Sequence, residues 1–387
     1  MKLSKCFIVV AVLLLLVAPY ARAEFMVKPV RGTLLVSEGM LYNSNPGYAD
    51  VGAREHDWAN QMSAGLSLEV PFGQIHKYTL NSNTTWIKYF TNHKFNQVNN
   101  NLTHSVDFTF NRWALNIHQN FDASSVPDTN EMPIVSKELL RKRINAPGFA
   151  VRGDLGKLKL SGGFDYQDYD TNDEYKILQR KTYTPYLEGA MQITPLLDGF
   201  MRYTYTRTIR AENVLNNSHG NDVKVGLRGN LTPYLTGEVG IGYDWTDFSQ
   251  SGTTGDQSNY HGLVYSGGLT NRLSKHTTQK ISFSLEPEQG YSDANYYKCW
   301  TTEYMLSHTL NTKVDVNASV GYILSNESGH AYDMEKSNIW QFGTGFNYHL
   351  AKNSDLVVGY NFSDKSSNRP GKNYKQHALS TSVNYRF

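Results

Sequence analysis

From about residue 33 to the end, the chain alternates apolar and polar residues in short runs. Leu235, Gly237, Val239, Ile241, Tyr243 and Trp245 share one face of a strand, with Thr236, Glu238, Gly240, Gly242 and Asp244 on the other. The preceding run sets Val223, Val225, Leu227 and Leu231 against Asp222, Lys224, Gly226 and Arg228, and the pattern returns at Leu356, Val358, Tyr360 and Phe362 and at Leu379, Val383, Tyr385 and Phe387. A period of two is a strand signal; a helix, with period 3.6, cannot gather such residues into one stripe. The connections alternate in length. Tight ones fall near 71–73, 111–113, 154–156, 194–196, 232–234, 273–275, 310–312 and 351–354. Longer polar ones fall near 44–56, 91–100, 123–142, 169–180, 208–220, 248–259, 287–295, 325–336 and 363–374. Short turns on one side and long loops on the other predict an all-β fold, a transmembrane antiparallel up-and-down β-barrel with short periplasmic turns and long extracellular loops. The segments predict about 18 strands, within 16–20, with both termini on the short-turn side. Alternation is poorest near 33–45 and 143–154.

The polar face distinguishes a membrane barrel from a soluble sandwich, which would bury its apolar face against a second sheet. Asp165, Glu188, Arg202, Lys224, Arg228, Glu238, Lys280, Glu303 and Asp315 lie on it and are the candidate lumen-lining residues. The apolar face carries aromatics near strand ends, among them Trp58, Tyr78, Tyr166, Tyr203, Tyr205, Tyr243, Trp245, Trp340, Tyr348, Tyr360 and Phe362. Such rings suit the bilayer interface, where one edge is dry and the other wet.

Composition narrows the class further. The chain has 387 residues, 40% hydrophobic and 19% charged, with 26 Tyr and 31 Gly, and lacks the apolar content of a helical membrane bundle. Its amino terminus reads as a secretory signal: Lys2 and Lys5, an apolar run from Phe7 to Ala18, then Ala21-Arg22-Ala23. Residues 1–23 are expected to be removed, leaving residues 24–387 as the outer-membrane β-barrel of a Gram-negative envelope. Taking Lys2, Lys5 and Arg22 from 37 basic residues leaves 34 against 35 acidic ones, a formal charge of −1. That balance gives no electrostatic case for nucleic acid. Only Cys299 remains beyond the signal, so the expected mature chain forms no internal disulfide and no Cys-rich zinc site.

The chain ends Ser382-Val383-Asn384-Tyr385-Arg386-Phe387. A terminal aromatic on the outward parity, with Tyr385 before it, resembles the carboxy-terminal strand that outer-membrane barrels present to their insertion machinery. The stretches 151–158, 226–233 followed by Gly242-Tyr243-Asp244-Trp245, Asn295-Tyr296-Tyr297 and 360–387 resemble the putative beta-barrel porin family, often encoded beside exopolysaccharide synthesis and export functions. The resemblance covers most of the expected mature chain through strand texture and turn placement, and least the amino-terminal strands. It implies an outer-membrane barrel with a link to surface polysaccharide, and no catalytic residues.

The residues themselves offer no enzyme. The histidines are scattered, with neither a His-Glu-x-x-His spacing nor a Gly-x-Ser-x-Gly turn. His104, His261, His308 and His377 share parity with apolar residues. Asp165 and Glu188 could form a carboxylate pair, but Arg202 and Lys224 nearby suggest a charge-balanced lumen instead. No cofactor or metal site is expected. Ser136 to Arg143 is a basic, helix-capable segment; Lys137, Arg141, Lys142 and Arg143 are candidates for a constriction loop folded into the lumen, the alternative being a loop on lipopolysaccharide or in solvent. The preferred expectation is a passive porin-like channel for polar solutes, tied to oligo- or exopolysaccharide transport, with lipid, lipopolysaccharide, the insertion machinery and export components as partners. The alternatives are a closed structural or docking barrel of an envelope export complex, and an outer-membrane hydrolase.

Overall fold

The computed structural model describes residues 26–27, 30–49, 54–73, 75–125, 140–253, 255–290, 294–329 and 334–387. The expected signal segment 1–23 and Lys137 lie outside the described residues. The first strands are β1 (Met26–Val27), β2 (Val30–Asn43), β3 (Asp57–Phe72), β4 (His76–Tyr89), β5 (Gln97–Thr109), β6 (Trp113–Ser124) and β7 (Lys142–Asp154). They continue as β8 (Leu158–Thr171), β9 (Arg180–Thr194), β10 (Leu197–Arg210), β11 (Ser218–Asn230), β12 (Leu235–Phe248) and β13 (Tyr260–Arg272). The last are β14 (Thr277–Gln289), β15 (Tyr296–Asn311), β16 (Val314–Glu327), β17 (Lys336–Ala351), β18 (Ser354–Ser367) and β19 (Tyr374–Arg386).

β1 is a two-residue stub folded back on β2. The eighteen long strands β2 to β19 each pair antiparallel with their chain neighbours, and β19 pairs with β2 to close the barrel. The seam runs from Ala378 opposite Asn43 to Arg386 opposite Leu35. The last residue completes it: Phe387 N–H donates to Leu34 O at 2.8 Å, and Leu34 N–H to Phe387 O at 3.0 Å. Closure leaves none of the eighteen long strands among the described residues with an unpaired edge, which the hydrocarbon region demands.

Each expected long loop is present, but the strands run a few residues into most of them. Ser124, Thr171, Arg210, Glu327 and Ser367 still belong to strands. Backbone pairing continues above the apolar belt, where alternation fades because both faces are wet. The short turns match their expected positions. At 155–157, Gly156 takes φ +88°, and its N–H donates to Asp154 Oδ1 at 2.9 Å. A side chain there would be strained.

Contacts between non-neighbouring strands identify the concave face. Lys224 on β11 reaches Glu286 on β14 at 2.6 Å, and Arg210 on β10 reaches Gln289 on β14 at 3.1 Å. Only side chains inside the barrel can span such a gap. The opposite parity carries Leu187 (67% exposed), Ile241 (53%) and Leu263 (60%), and all the belt aromatics named from sequence. Apolar outside and polar inside inverts a soluble fold and fits a bilayer.

Candidate functional site

The lumen has two unlike walls. All nine candidate lumen residues fall on the inward parity, and eight of them lie on β8 to β15. Glu188, with its side chain 4% exposed, accepts from two arginines: Arg202 Nε at 2.8 Å and Arg228 Nη1 at 2.7 Å. Arg202 sits 5.9 Å from the Tyr186 ring and Arg228 5.4 Å from Phe200. Lys159 pairs with Asp198 at 2.7 Å. Glu188, Arg202, Arg228, Tyr186, Lys159 and Arg152 line a cavity of about 470 Å³ against the inner wall.

The expected partners are only partly brought together. Asp165 does not pair with Glu188; its Oδ1 lies 2.9 Å from His118 Nε2. The other ring nitrogen of His118 is 2.9 Å from Asn116 Oδ1. Lys224 belongs to Glu286 rather than to the arginine pair. Glu238 stands opposite Arg228 on the ladder, but Arg228 turns to Glu188. Lys280 lies opposite Thr270 and Met305, and Glu303 opposite Ser282 and Gly321. Asp315 sits at the periplasmic rim, accepting from Thr309 Oγ1 at 2.6 Å beside His349 at 3.0 Å.

The second wall runs through β16, β17, β18 and β19, across the seam, to β2, β3, β4, β5 and β6. At mid-height most of its inward residues are hydroxyls, amides and glycines, among them Ser319, Gln341, Gly343, Asn361, Ser380, Ser382, Ser37, Gln61, Ser63, Asn81, Asn83, Asn101, Thr103 and Asn120, with Leu35 and Leu41 on β2 and His118 on β6 among the exceptions. Inward charges on these strands keep to the ends, such as Glu69, Lys77 and Asp107 below and Asp57 and Glu327 above.

At the extracellular end, the described part of the basic segment, Leu140 to Arg143, meets the β8–β9 loop and β15. Arg141 N–H donates to Asn172 Oδ1 at 3.0 Å. Lys142 and Arg143 are strand residues with opposite parity: Lys142 is inward and buried, while Arg143 is outward, 2.6 Å from Asp170. A short 3-10 helix, Asp173–Leu178, lies between β8 and β9. Its Tyr175 and Leu178 join Leu140, Tyr169 on β8, Ala294, and Tyr297 and Cys299 on β15 in one buried cluster. β8 and β15 are well separated around the barrel, so this cluster bridges the lumen. The clue in sequence was Tyr175, Ile177 and Leu178, apolar residues in an otherwise polar loop.

Polar locks surround the cluster. Glu335 accepts from Lys372 at 2.7 Å, Lys365 at 3.0 Å and Ser367 Oγ at 3.0 Å, and the carboxylate and both lysines are buried. Glu327 takes Arg369 at 2.6 Å and the Tyr297 hydroxyl at 2.8 Å. Asp256 ties three loops through Ser328 Oγ (2.6 Å) and Asn295 N–H (2.8 Å). Burial opposes ionisation of Glu335, but the two lysines outweigh it and hold the carboxyl below its ordinary value. Burial likewise opposes ionisation of Asp256, and the bonds from Ser328, Asn295 and Ser258 outweigh it. A carboxyl depressed by folding stabilises fully above its unfolded value and loses that contribution as pH falls through the lower folded one. The amides of 368–373 are therefore expected to lose hydrogen-exchange protection on acidification below the ordinary carboxylate range, and to keep it on mild alkalinisation.

A closed barrel of eighteen strands with a lipid-ready exterior and a polar interior defines a porin-type protein. The chain belongs to the family described as Putative beta-barrel porin 2, whose model matches residues 23–387. Its fold is that of outer-membrane porins from Pseudomonas aeruginosa. OccK2 (OpdF), solved in complex with glucuronate, shares 10% identity, covering 93% of this chain and 99% of that one at a TM-score of 0.53. OpdK shares 10% identity, covering 94% and 100% at 0.50, and a structure of OpdK with vanillate gives 11% at the same score. At these identities the likeness establishes the fold. No match was found among curated protein sequences.

Proposed function

We propose that this protein is a passive outer-membrane channel for polar solutes and that its cargo is of the oligosaccharide class. The neutral wall carries the reading. Hydroxyl and amide groups replace the water around a polyhydroxylated molecule bond for bond, at small net cost, and many equivalent weak sites allow entry without trapping. The charged wall opposite sets which ions accompany it. The family's association with exopolysaccharide functions supports the same cargo class. Residues 1–23 would direct export, and lipopolysaccharide and the insertion machinery would be the envelope partners. No catalytic role is assigned to any residue.

Single-channel recording of purified protein in a planar bilayer tests this. The expected result is a steady conductance that neutral oligosaccharides of graded length interrupt, with longer chains giving longer interruptions. The cluster bridging β8 and β15 favours a second reading, a barrel closed at its outer end and used for docking. That reading predicts no conductance until the loop carrying Tyr175 and Leu178 is shortened.

A further inference from the structure

The outer face is not uniformly suited to lipid. On β10 to β14 the belt reads Met201, Val225, Ile241, Leu263 and Ile281. On β2 to β6 it is interrupted in mid-strand. Glu38 faces outward between Val36 and Met40, with Met62 and Val383 beside it on the neighbouring strands. His104 faces outward between Leu102 and Val106. Its Nε2 lies 3.0 Å from Gln119 Oε1, while the Gln119 amide nitrogen donates to Asn145 Oδ1 at 2.7 Å. An amide oxygen can only accept, so His104 Nε2 carries the hydrogen towards Gln119 and Nδ1 is left out of this chain of bonds.

We infer that the outward face of β2 to β5 is a self-association surface, on which Glu38 of one copy meets His104 of a second copy across a two-fold axis along the membrane normal. Three features select a second copy. Lipid tails offer a carboxylate no partner, and an ionisable group within the belt is costly unless paired. The face is self-complementary, with its acid on one flank and its imidazole on the other, so one rotation satisfies both pairs. Between the flanks the outward residues Ala64 on β3 and Ser82 and Thr84 on β4 are small, with Leu66 beside them. Two convex walls touch first at their centre, so small side chains there and long polar ones at the flanks match two barrels side by side.

Cysteine cross-linking in intact outer membranes tests the surface, using the full chain. Cys299 is buried and leaves the background clean. Ser82→Cys should give a covalent homodimer on mild oxidation, while Leu263→Cys, outward on the far side of the barrel, should give none. Glu38→Leu and His104→Leu, each in the Ser82→Cys background, should lower the yield at least several-fold. Both changes make the face more lipid-like, and heat-modifiable gel mobility verifies that the barrel has folded. Absence of dimer from Ser82→Cys, equal yield from Leu263→Cys, or an adduct with a different protein would overturn the assignment. Undiminished yield in both leucine variants would overturn the Glu38–His104 pairing.

Discussion

Arginine at Val239 or Ile241 is expected to cost about 2–4 kcal/mol in a bilayer folding titration. Both residues sit mid-strand on β12, face outward and are flanked by apolar partners, Leu227 and Val225 on β11 and Gly267 and Tyr265 on β13. A guanidinium there has no acceptor within the belt and must draw water or headgroups inward. Gly240, between them, faces the lumen opposite Gly226 and Ser266. A Cβ at Gly240 would meet Phe200 and Val225 only at ordinary contact distances, 3.4 and 3.6 Å. Gly240→Ala should therefore fold almost as well as the native chain. Arginine tolerated at both outward positions would invert the faces.

Reversing Arg202 and Arg228 together to Glu is expected to turn ion selectivity towards cations. The double change puts three carboxylates where Glu188 now holds two guanidiniums. Glu188→Gln should act in the opposite direction, since both arginines keep their charge and lose their counterion. Its stability cost should fall below the 3–5 kcal/mol typical of breaking a fully buried pair, because Arg202 is 40% and Arg228 28% exposed to lumen water. Reversal potentials across a salt gradient measure both effects. Each should shrink in about 1 M salt, where the Debye length is only about 3 Å. Unchanged selectivity in both variants would remove these residues from the ion path.

The partners within the lumen show where reading along the chain stops. Arg202 and Arg228 share an inward parity, and period two alone places them there. That both converge on Glu188, while Lys224 leaves for Glu286 three strands away, depends on side-chain reach across a curved wall. The basic segment around Arg141 was legible as a charge cluster, yet pairing of Lys142 and Arg143 with β6 and β8 sends them to opposite faces. Leu140 from that segment packs at the outer end with Tyr175 and Leu178, and their cluster partners on β15 are distant in sequence.

Sequence by itself determined the strand order, the two faces and the sidedness of the loops, because each follows from local physics. Alternation has a period of two, tight turns need few residues, and an antiparallel meander pairs each strand with the next. Tertiary structure decided what the meander becomes when its ends meet. Pairing of β19 with β2 joins the hydroxyl- and amide-rich strands of the carboxy terminus to those of the amino terminus, making one neutral wall from residues more than three hundred positions apart. The same closure sets that wall opposite the charged one and brings Glu38 and His104 onto one outward sector. None of these is a local property, since each arises from curvature and closure and so appears only in three dimensions.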